Sequence, residues 1–199
     1  MIIDTAKVDR DDLYKLLIGS VLPRPIAWIG SVSQDGVDNL APFSFFNVAS
    51  TNPPVIAISI GNKPDGSRKD SLNNIVATEC FSVSMVSHDV AKVMHDSGQA
   101  FAPEVDEFTE LNVKKEKCTN IAASKVAGAG VVFECKLRQL IEFGAGSSSH
   151  LVLADILSIE VDDNLIDYPK INMQKLDLVG RGSGPDYVTT RDVFSFIRK

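Results

Sequence analysis

The chain has 199 residues, 44% of them hydrophobic, and its 26 acidic and 20 basic side chains leave a formal net charge of −6 at pH 7. This size and composition predict a single globular domain over residues 1–199 with a core of useful size. The negative charge argues against a general nucleic-acid-binding surface, because phosphate binding needs clustered lysine and arginine. No apolar run approaches the roughly 20 residues of a membrane span, so we expect no membrane association.

The cysteines and the N-terminal sequence bear on the compartment. No basic region followed by an apolar one begins the chain, so no secretory signal is predicted. Cys80, Cys118 and Cys135 are odd in number and widely spaced. Free thiols in a reducing cytoplasm explain this pattern better than a disulfide framework or a zinc site. We therefore expect a cytoplasmic protein without a metal centre.

Short helices and strands are predicted along the chain. Leucines at helical spacing predict a helix over residues 11–18, with Asp11 or Asp12 as its N-cap. Two extended runs around Asp35-Gly36 predict a β-hairpin within residues 23–47, because Asp-Gly tolerates the positive φ angles of a tight turn. Periodicity further predicts helices at residues 70–78 and 89–97, and strands at residues 55–60, 81–85, 131–143 and 150–161.

Two connections stand out between these elements. Residues 99–120 carry charge in small groups around one helical candidate at residues 106–111, and we interpret them as a long surface excursion, functional or packed on a partner subunit. Six small residues at 144–149 predict a hairpin loop or a mobile rim. Many short strands with a few short helices indicate an all-β barrel or sandwich.

The end of the predicted hairpin combines aromatic and polar side chains. Ser44 and Asn47 lie among Phe43, Phe45 and Phe46. Such a surface suits a flat ligand with a polar edge. A core hairpin with polar residues on its exposed face explains this stretch equally simply, and the stretch alone favours that interpretation.

A second candidate site lies where a loop becomes a helix, at Ser67-Arg68-Lys69-Asp70-Ser71. A helix N-terminus offers unpaired N–H groups and a positive dipole end, and the basic and hydroxyl side chains add further donors for a phosphate. Asp70 fits the helix N-cap better than a catalytic acid. A solvated basic turn is the alternative. Together, the two candidate sites are suited to hold the two ends of one nucleotide.

Other catalytic patterns are absent from the sequence. It contains no dinucleotide-binding glycine motif, P-loop, nucleophile elbow or zinc-protease motif. His88 and His95 flank a short helix and are predicted to be surface residues. His150 begins an apolar strand after the serine loop and is our candidate catalytic residue at a pocket rim, with a strand-end polar residue as the alternative. Arg181 and Tyr187 form a further candidate pair, which loop packing explains nearly as well.

Several ordered motifs resemble those of the flavin reductase-like family, which uses the FMN-binding split barrel found in flavoredoxin. They are residues 24–31 (RPIAWIGS), residues 39–47 (NLAPFSFFN), Pro53-Pro54 and residues 68–75 (RKDSLNNI). The resemblance implies an all-β split β-barrel of Greek-key type with peripheral helices. It also implies a homodimer with one non-covalent FMN per subunit near the subunit interface.

The resemblance assigns roles by position. Ser67, Arg68, Lys69 and Ser71 would take the FMN phosphate. Ser44, Phe45, Phe46 and Asn47 would line the isoalloxazine ring, with Ser31 nearby and Trp28 packing beside it. All of these stand as expectations for the structure.

The function that the resemblance implies is NAD(P)H-dependent flavin reduction, in which a nicotinamide, from NADH or NADPH, passes hydride to flavin N5. Such chemistry needs neither a nucleophile nor a metal, so the absence of those motifs is no objection. A partner monooxygenase or an electron acceptor protein would receive the electrons. Two alternatives remain open: a non-enzymatic FMN-binding electron carrier without a nicotinamide site, and a barrel module that binds no flavin.

Overall fold

A computed structural model describes residues 1–144 and 146–197. Seven strands form its main sheet: β1 Ala27–Val32, β2 Asp38–Phe43, β3 Phe46–Thr51, β4 Pro54–Gly61, β5 Cys80–Met85, β8 Val131–Glu142 and β9 Ser149–Val161. The shorter strands are β6 Lys115–Lys117, β7 Ser124–Val126, β10 Ile166–Asp167, β11 Lys170–Ile171, β12 Val179–Arg181 and β13 Tyr187–Thr189. The helices are α1 Arg10–Ser20, α2 Asp70–Thr78, α3 Ala91–Asp96, α4 Glu107–Glu110 and α5 Met173–Leu176.

The main sheet is antiparallel and rolled into a barrel. Its strand order is β2-β1-β5-β8-β9-β4-β3, so β2 and β3, which follow each other in the chain, lie at opposite edges. The edges approach each other: β2 contacts β4, and the Ser59 N–H donates to the Phe45 carbonyl across 2.8 Å. A sheet closed in this way, without a ladder between β2 and β3, is the predicted split β-barrel, and the all-β fold class is confirmed.

The predicted hairpin forms around Asp35-Gly36, but its second strand is shorter than expected. β1 and β2 pair from Ala27↔Phe43 to Val32↔Asp38, and Gly36 has a φ of 84° in the turn. The extended run through residue 46 is interrupted, because Ser44 and Phe45 form the link from β2 to β3. This link carries the chain from one edge of the sheet to the other.

Two hydrophobic clusters lie on the two faces of β1. Ala27 and Ile29 point into the barrel, where Leu72 and Ile75 of α2 close one end of the core. Trp28 points to the opposite face and packs in the second cluster with Met94 of α3 and Phe108 of α4, among others. β1 is therefore buried on both faces, and strand alternation decides which core each side chain joins.

The helix boundaries correct two predicted caps. Asp9, not Asp11 or Asp12, is the N-cap of α1, and its carboxylate accepts from the Asp12 N–H. Lys69 is the N-cap of α2 and Asp70 is the first helical residue, so Asp70 is not the cap. The residue before a helix holds extended backbone angles, and Lys69 has them.

The excursion over residues 99–120 was predicted to run over the surface, but part of it is buried. The predicted helix at residues 106–111 forms as the shorter α4, and Glu107 and Phe108 within it are buried. The excursion covers the second hydrophobic cluster. Within the described ranges, no helix is long and apolar enough to cross a membrane.

Candidate functional site

A cavity of about 1040 Å³ opens between α1, the β2–β3 link, the end of β4 and the start of α2. This volume is at the upper end of the range for ligand pockets, about 300–1,000 Å³. Its lining comprises Arg10, Asp11, Tyr14, Pro42, Phe43, Ser44, Phe45, Ser59, Gly61, Asn62, Lys63, Pro64, Gly66, Lys69, Gly146, Ser147, Ser148 and Ser149.

Arg24 holds the wall formed by the β2–β3 link. It is only 6% exposed, and it donates to the carbonyls of Ile18 and Val21 at the end of α1, each at 2.8 Å. Its Nε donates to Ser44 Oγ at 3.4 Å, and its guanidinium lies 5.8 Å from the centroid of the Phe45 ring. A cation suits the negative end of a helix, so Arg24 joins α1 to the wall of the cavity.

Two lysines line the opposite end of the cavity. Lys63 pairs with Asp70 across 2.9 Å, whereas Lys69 lies over the Phe43 ring with its Nζ 5.3 Å from the centroid. In the described part of the chain, no carboxylate oxygen lies within 4.0 Å of the Lys69 ammonium. Burial, together with the charge of Lys63, lowers the pKa of Lys69. This end of the cavity therefore carries an uncompensated cation beside the N-terminus of α2.

The other predicted phosphate ligands are engaged elsewhere. Arg68 lies outside the cavity wall and pairs with Glu142 across 2.9 Å. The Ser67 hydroxyl donates to Asp65 Oδ1 at 2.6 Å, within a tight turn beside the cavity. Ser71 is buried, and its hydroxyl donates to Asn39 Oδ1 at 2.8 Å. Of the four, Lys69 alone is among the lining residues.

Three further predicted ligands are placed in the interior of the protein rather than on the cavity wall. The Trp28 indole donates to Ser97 Oγ at 2.9 Å in the second hydrophobic cluster. Ser31 is buried and accepts from Asn74 Nδ2 at 3.3 Å. Phe46 packs in the barrel core. These three residues do not line the cavity, because the fold turns their side chains into the interior, and their roles beside a flavin stay predictions.

Asn47 also lies away from the cavity wall. It is an exposed residue of β3, and its side-chain oxygen accepts from the Val48 N–H at 2.8 Å. Of the residues expected to line a ring, Ser44 and Phe45 are therefore the two that line the cavity.

His150 reaches the cavity through a neighbour. It is buried, and its Nε2 lies 3.1 Å from Oδ1 of Asn62, which lines the cavity. Its Nδ1 is 3.7 Å from Glu142 Oε1 and has no hydrogen-bond partner in the described part of the protein. The Asn62 backbone N–H in turn donates to the Ser148 carbonyl of the rim at 2.8 Å. A catalytic role for His150 stays a prediction.

The pair Arg181 and Tyr187 forms away from the cavity. The Arg181 guanidinium lies 4.5 Å from the centroid of the Tyr187 ring, and the Tyr187 hydroxyl is 2.9 Å from His95 Nδ1. Tyr187 packs against the second hydrophobic cluster. This placement supports the interpretation as loop packing.

Sequence reasoning missed one wall of the cavity. Arg10, Asp11 and Tyr14 come from α1, which was predicted as a helix without a role in a site. The serine rim was predicted at residues 144–149, and Gly146 to Ser149 line the cavity; Ala145 lies outside the described residues. Nothing in the leucine spacing of α1 indicates that Arg10, Asp11 and Tyr14 line a cavity.

Comparison with known proteins agrees with the fold. Residues 18–175 match the family model described as flavin reductase like domain. An uncharacterized protein of Aquifex aeolicus is 39% identical over 183 residues, covering 92% of each chain.

Two solved structures are similar over nearly their whole length. Nitrilotriacetate monooxygenase component B from Bacillus cereus has a TM-score of 0.94 at 27% identity, covering 98% of both chains. The 2-nitrobenzoate 2-nitroreductase NbaA of Pseudomonas fluorescens has a TM-score of 0.90 at 29% identity, covering 100% of this chain and 96% of that one. The family match spans well over half of the residues. The chain belongs to the flavin reductase-like family.

Proposed function

We propose that the cavity binds FMN non-covalently and that the protein is an NAD(P)H-dependent flavin reductase. The observation that carries this proposal is Lys69, a half-buried cation that lines a large cavity and has no carboxylate within 4.0 Å among residues 1–144 and 146–197. Removing a cation from water without a counter-charge is unfavourable. An anionic ligand at this position would supply the missing charge.

The Lys69 end of the cavity suits the phosphate of FMN. Lys63 lies beside Lys69, and α2, a helix of nine residues, begins directly after it. Two ammonium groups and the positive end of a helix together stabilise a dianion. Arg68 lies next to this end and would join the phosphate by leaving Glu142.

The opposite wall suits the ring. Phe45 and Pro42 offer apolar surface, and the Ser44 hydroxyl and the serine rim offer hydrogen-bond donors and acceptors. A flavin site needs this combination of a flat apolar slot with a few polar groups at the ring edge. When bound, FMN would supply N5 as the atom that accepts hydride from a nicotinamide.

The residues around the ring have two tasks in this proposal. The β2–β3 link, held by Arg24, would keep one ring face covered and leave the other open to a nicotinamide. His150 would orient Asn62 at the cavity wall through their 3.1 Å contact. No residue of the chain needs to form a covalent bond.

We also propose that the protein is a homodimer with the flavin near the subunit interface. Tyr14 and Phe45, both on the cavity wall, are 57% and 44% exposed, and Leu17 of α1 and Val48 of β3 are 51% and 55% exposed. Large apolar side chains exposed on these elements support burial against a second copy. Sedimentation velocity would test the dimer, and a monomer at micromolar concentration would contradict it.

A partner protein is a further element of the proposal. One solved structure with a TM-score of 0.94 is a monooxygenase component. That likeness supports delivery of reduced flavin to a partner monooxygenase or another electron acceptor. The free cysteines, Cys80, Cys118 and Cys135, support a cytoplasmic location.

The visible absorbance spectrum of purified protein tests the function, recorded before and after anaerobic NADH and then NADPH. A flavin spectrum that one nucleotide bleaches is the expected result, and it would identify the donor. A flavin spectrum that neither nucleotide bleaches would support an electron carrier instead. Protein that stays colourless and does not bind added FMN would contradict the proposal as a whole.

A further inference from the structure

A buried carboxylate ties the excursion over residues 99–120 to the barrel. Glu107 begins α4 and is only 6% exposed. Its Oε1 accepts from Asn39 Nδ2 at 2.6 Å, and its Oε2 accepts from the Leu40 N–H at 2.9 Å. Both oxygens therefore receive a donor from β2, one from a side chain and one from the backbone.

The hydrogen bonds continue from β2 to α2. Asn39 Oδ1 accepts from the Ser71 hydroxyl at 2.8 Å and from the Ser31 hydroxyl at 3.3 Å. Asn74 Nδ2 donates to Ser31 Oγ at 3.3 Å. Ser71 lies in the first turn of α2, two residues after Lys69. A continuous buried path thus runs from Glu107 to the turn that presents Lys69 to the cavity.

The hydrogen bonds of this path fix the orientation of the Asn39 side-chain amide. Asn39 uses its amide nitrogen toward Glu107 and its oxygen toward the two serines, so rotating this amide would break bonds on both sides. Burial raises the pKa of Glu107, partly offset by the donors of Leu40 and Asn39. A buried network of this kind specifies one arrangement when every member is satisfied.

We propose that Glu107 is a positioning residue for the anion end of the cavity. Through Asn39 and Ser71 it holds the first turn of α2, and with it the Lys69 ammonium, in the orientation that receives a phosphate. This inference rests on the proposed function, because it assigns Lys69 to the flavin phosphate. The excursion thereby contributes to ligand binding without touching the ligand.

Glu107→Gln is a sharp test because it keeps the size of the side chain. A glutamine has one acceptor oxygen, whereas Asn39 Nδ2 and the Leu40 N–H are both donors. In the variant, the glutamine NH2 group takes the place of one carboxylate oxygen. One of the two hydrogen bonds is therefore lost, and two donors face each other in its place. Glu110→Gln is the matched control, since Glu110 lies in the same short helix and is exposed.

The ligand pair FMN and riboflavin separates positioning from general damage, because riboflavin has the same ring without the phosphate. Titration by flavin fluorescence should show that Glu107→Gln weakens FMN binding about tenfold, the effect of one lost hydrogen bond to a charged group. Riboflavin binding should change less than about twofold by the same reasoning. Glu110→Gln should bind both flavins as the unaltered protein does.

Amide hydrogen exchange provides a measurement that needs no flavin. Peptides covering the first turn of α2 should exchange faster in Glu107→Gln than in Glu110→Gln, while peptides from β8 and β9 should not differ. Unchanged exchange in the α2 peptides would overturn the inference, as would equal losses of FMN and riboflavin affinity. If the unaltered protein binds neither flavin, the proposed function fails, and the exchange comparison still decides the role of Glu107.

Should Glu107→Gln fail to fold, Ser71→Ala interrupts the same path by removing one hydroxyl. It is expected to weaken FMN binding and speed exchange in the first turn of α2, with riboflavin binding kept. Ser87→Ala is its control, because that hydroxyl donates to Asp89 in its own loop and Ser87 does not line the cavity. Equal behaviour of the two serine variants would overturn the path through Asn39.

Discussion

Two lysines sit over phenylalanine rings in this protein, and their surroundings differ in one respect. Lys115 lies 5.6 Å from the Phe108 ring centroid and pairs with both Asp38 and Asp106, each across 2.6 Å. Lys69 lies 5.3 Å from the Phe43 ring centroid with no carboxylate within 4.0 Å in the described chain. The first lysine is neutralised by the protein itself, whereas the second is not.

The pKa directions reflect this contrast. Burial alone would lower the pKa of Lys115, but hydrogen bonds to Asp106 and Asp38 outweigh it, so that this pKa is raised. The pKa of Lys69 is lowered, by burial and then by the charge of Lys63. The comparison teaches that the protein itself neutralises Lys115, whereas the surroundings of Lys69 support the proposal that its counter-charge comes from a bound ligand.

The largest effect is expected from Lys115→Met. This change leaves Asp38, 5% exposed, without its main counter-ion. Breaking a buried pair in this way costs about 3 kcal/mol of unfolding free energy. Urea denaturation would measure it, and a loss under about 1 kcal/mol would place this pair with ordinary surface ion pairs.

Lys69→Met is expected to affect ligand binding strongly and stability little, in contrast to Lys115→Met. Removing an unpaired, half-buried cation should leave the unfolding free energy within about 1 kcal/mol of its original value. FMN affinity should fall about 30-fold, near 2 kcal/mol for a lost charged hydrogen bond. Isothermal titration with FMN and with riboflavin would check this, and an equal effect on both ligands would remove Lys69 from the phosphate site.

The pH dependence of FMN binding sharpens the same comparison. Because the pKa of Lys69 is lowered, this cation is lost at a lower pH than an ordinary lysine, and FMN affinity should decline as pH rises toward that range. Riboflavin affinity should stay flat over the same range. Fluorescence titrations across alkaline pH would show the difference, and it should vanish in Lys69→Met.

The smallest effect is expected from Arg68→Ala. Arg68 and Glu142 are 37% and 60% exposed, so their ion pair should contribute less than about 1 kcal/mol to stability. FMN affinity should fall less than in Lys69→Met, because Arg68 must leave Glu142 to reach the phosphate. A larger loss than in Lys69→Met would make Arg68 the principal anchor.

Local structure was largely predictable from neighbouring residues. The turn at Asp35-Gly36, the span of α2 and the two long strands all follow from turn chemistry and hydrophobic periodicity. Both signals act over a few residues of chain, so they do not depend on the rest of the fold. The cap of α2 was misassigned by one residue, a scale at which periodicity carries little information.

The candidate site was predictable only in part. Ser44, Phe45 and Lys69 line the cavity, but Trp28, Ser31 and Ser71 carry equally suggestive side chains and face the interior. A sequence motif records which residues are close in the chain, not which face of a curled sheet they occupy. The same limit hid α1 as a wall of the cavity and Glu107 as a partner of β2.

The sequence by itself determined the two long strands, the Asp35-Gly36 turn, the family and the basic loop before α2, because each depends on residues near one another in the chain. Tertiary structure alone decided which lysine has a carboxylate partner and which does not. Asp38 lies 77 residues from Lys115 in sequence, and the excursion that carries Lys115 and Asp106 brings them together with it. Within the described residues no carboxylate reaches Lys69, and that difference in long-range packing supports the proposal that its end of the cavity binds an anion.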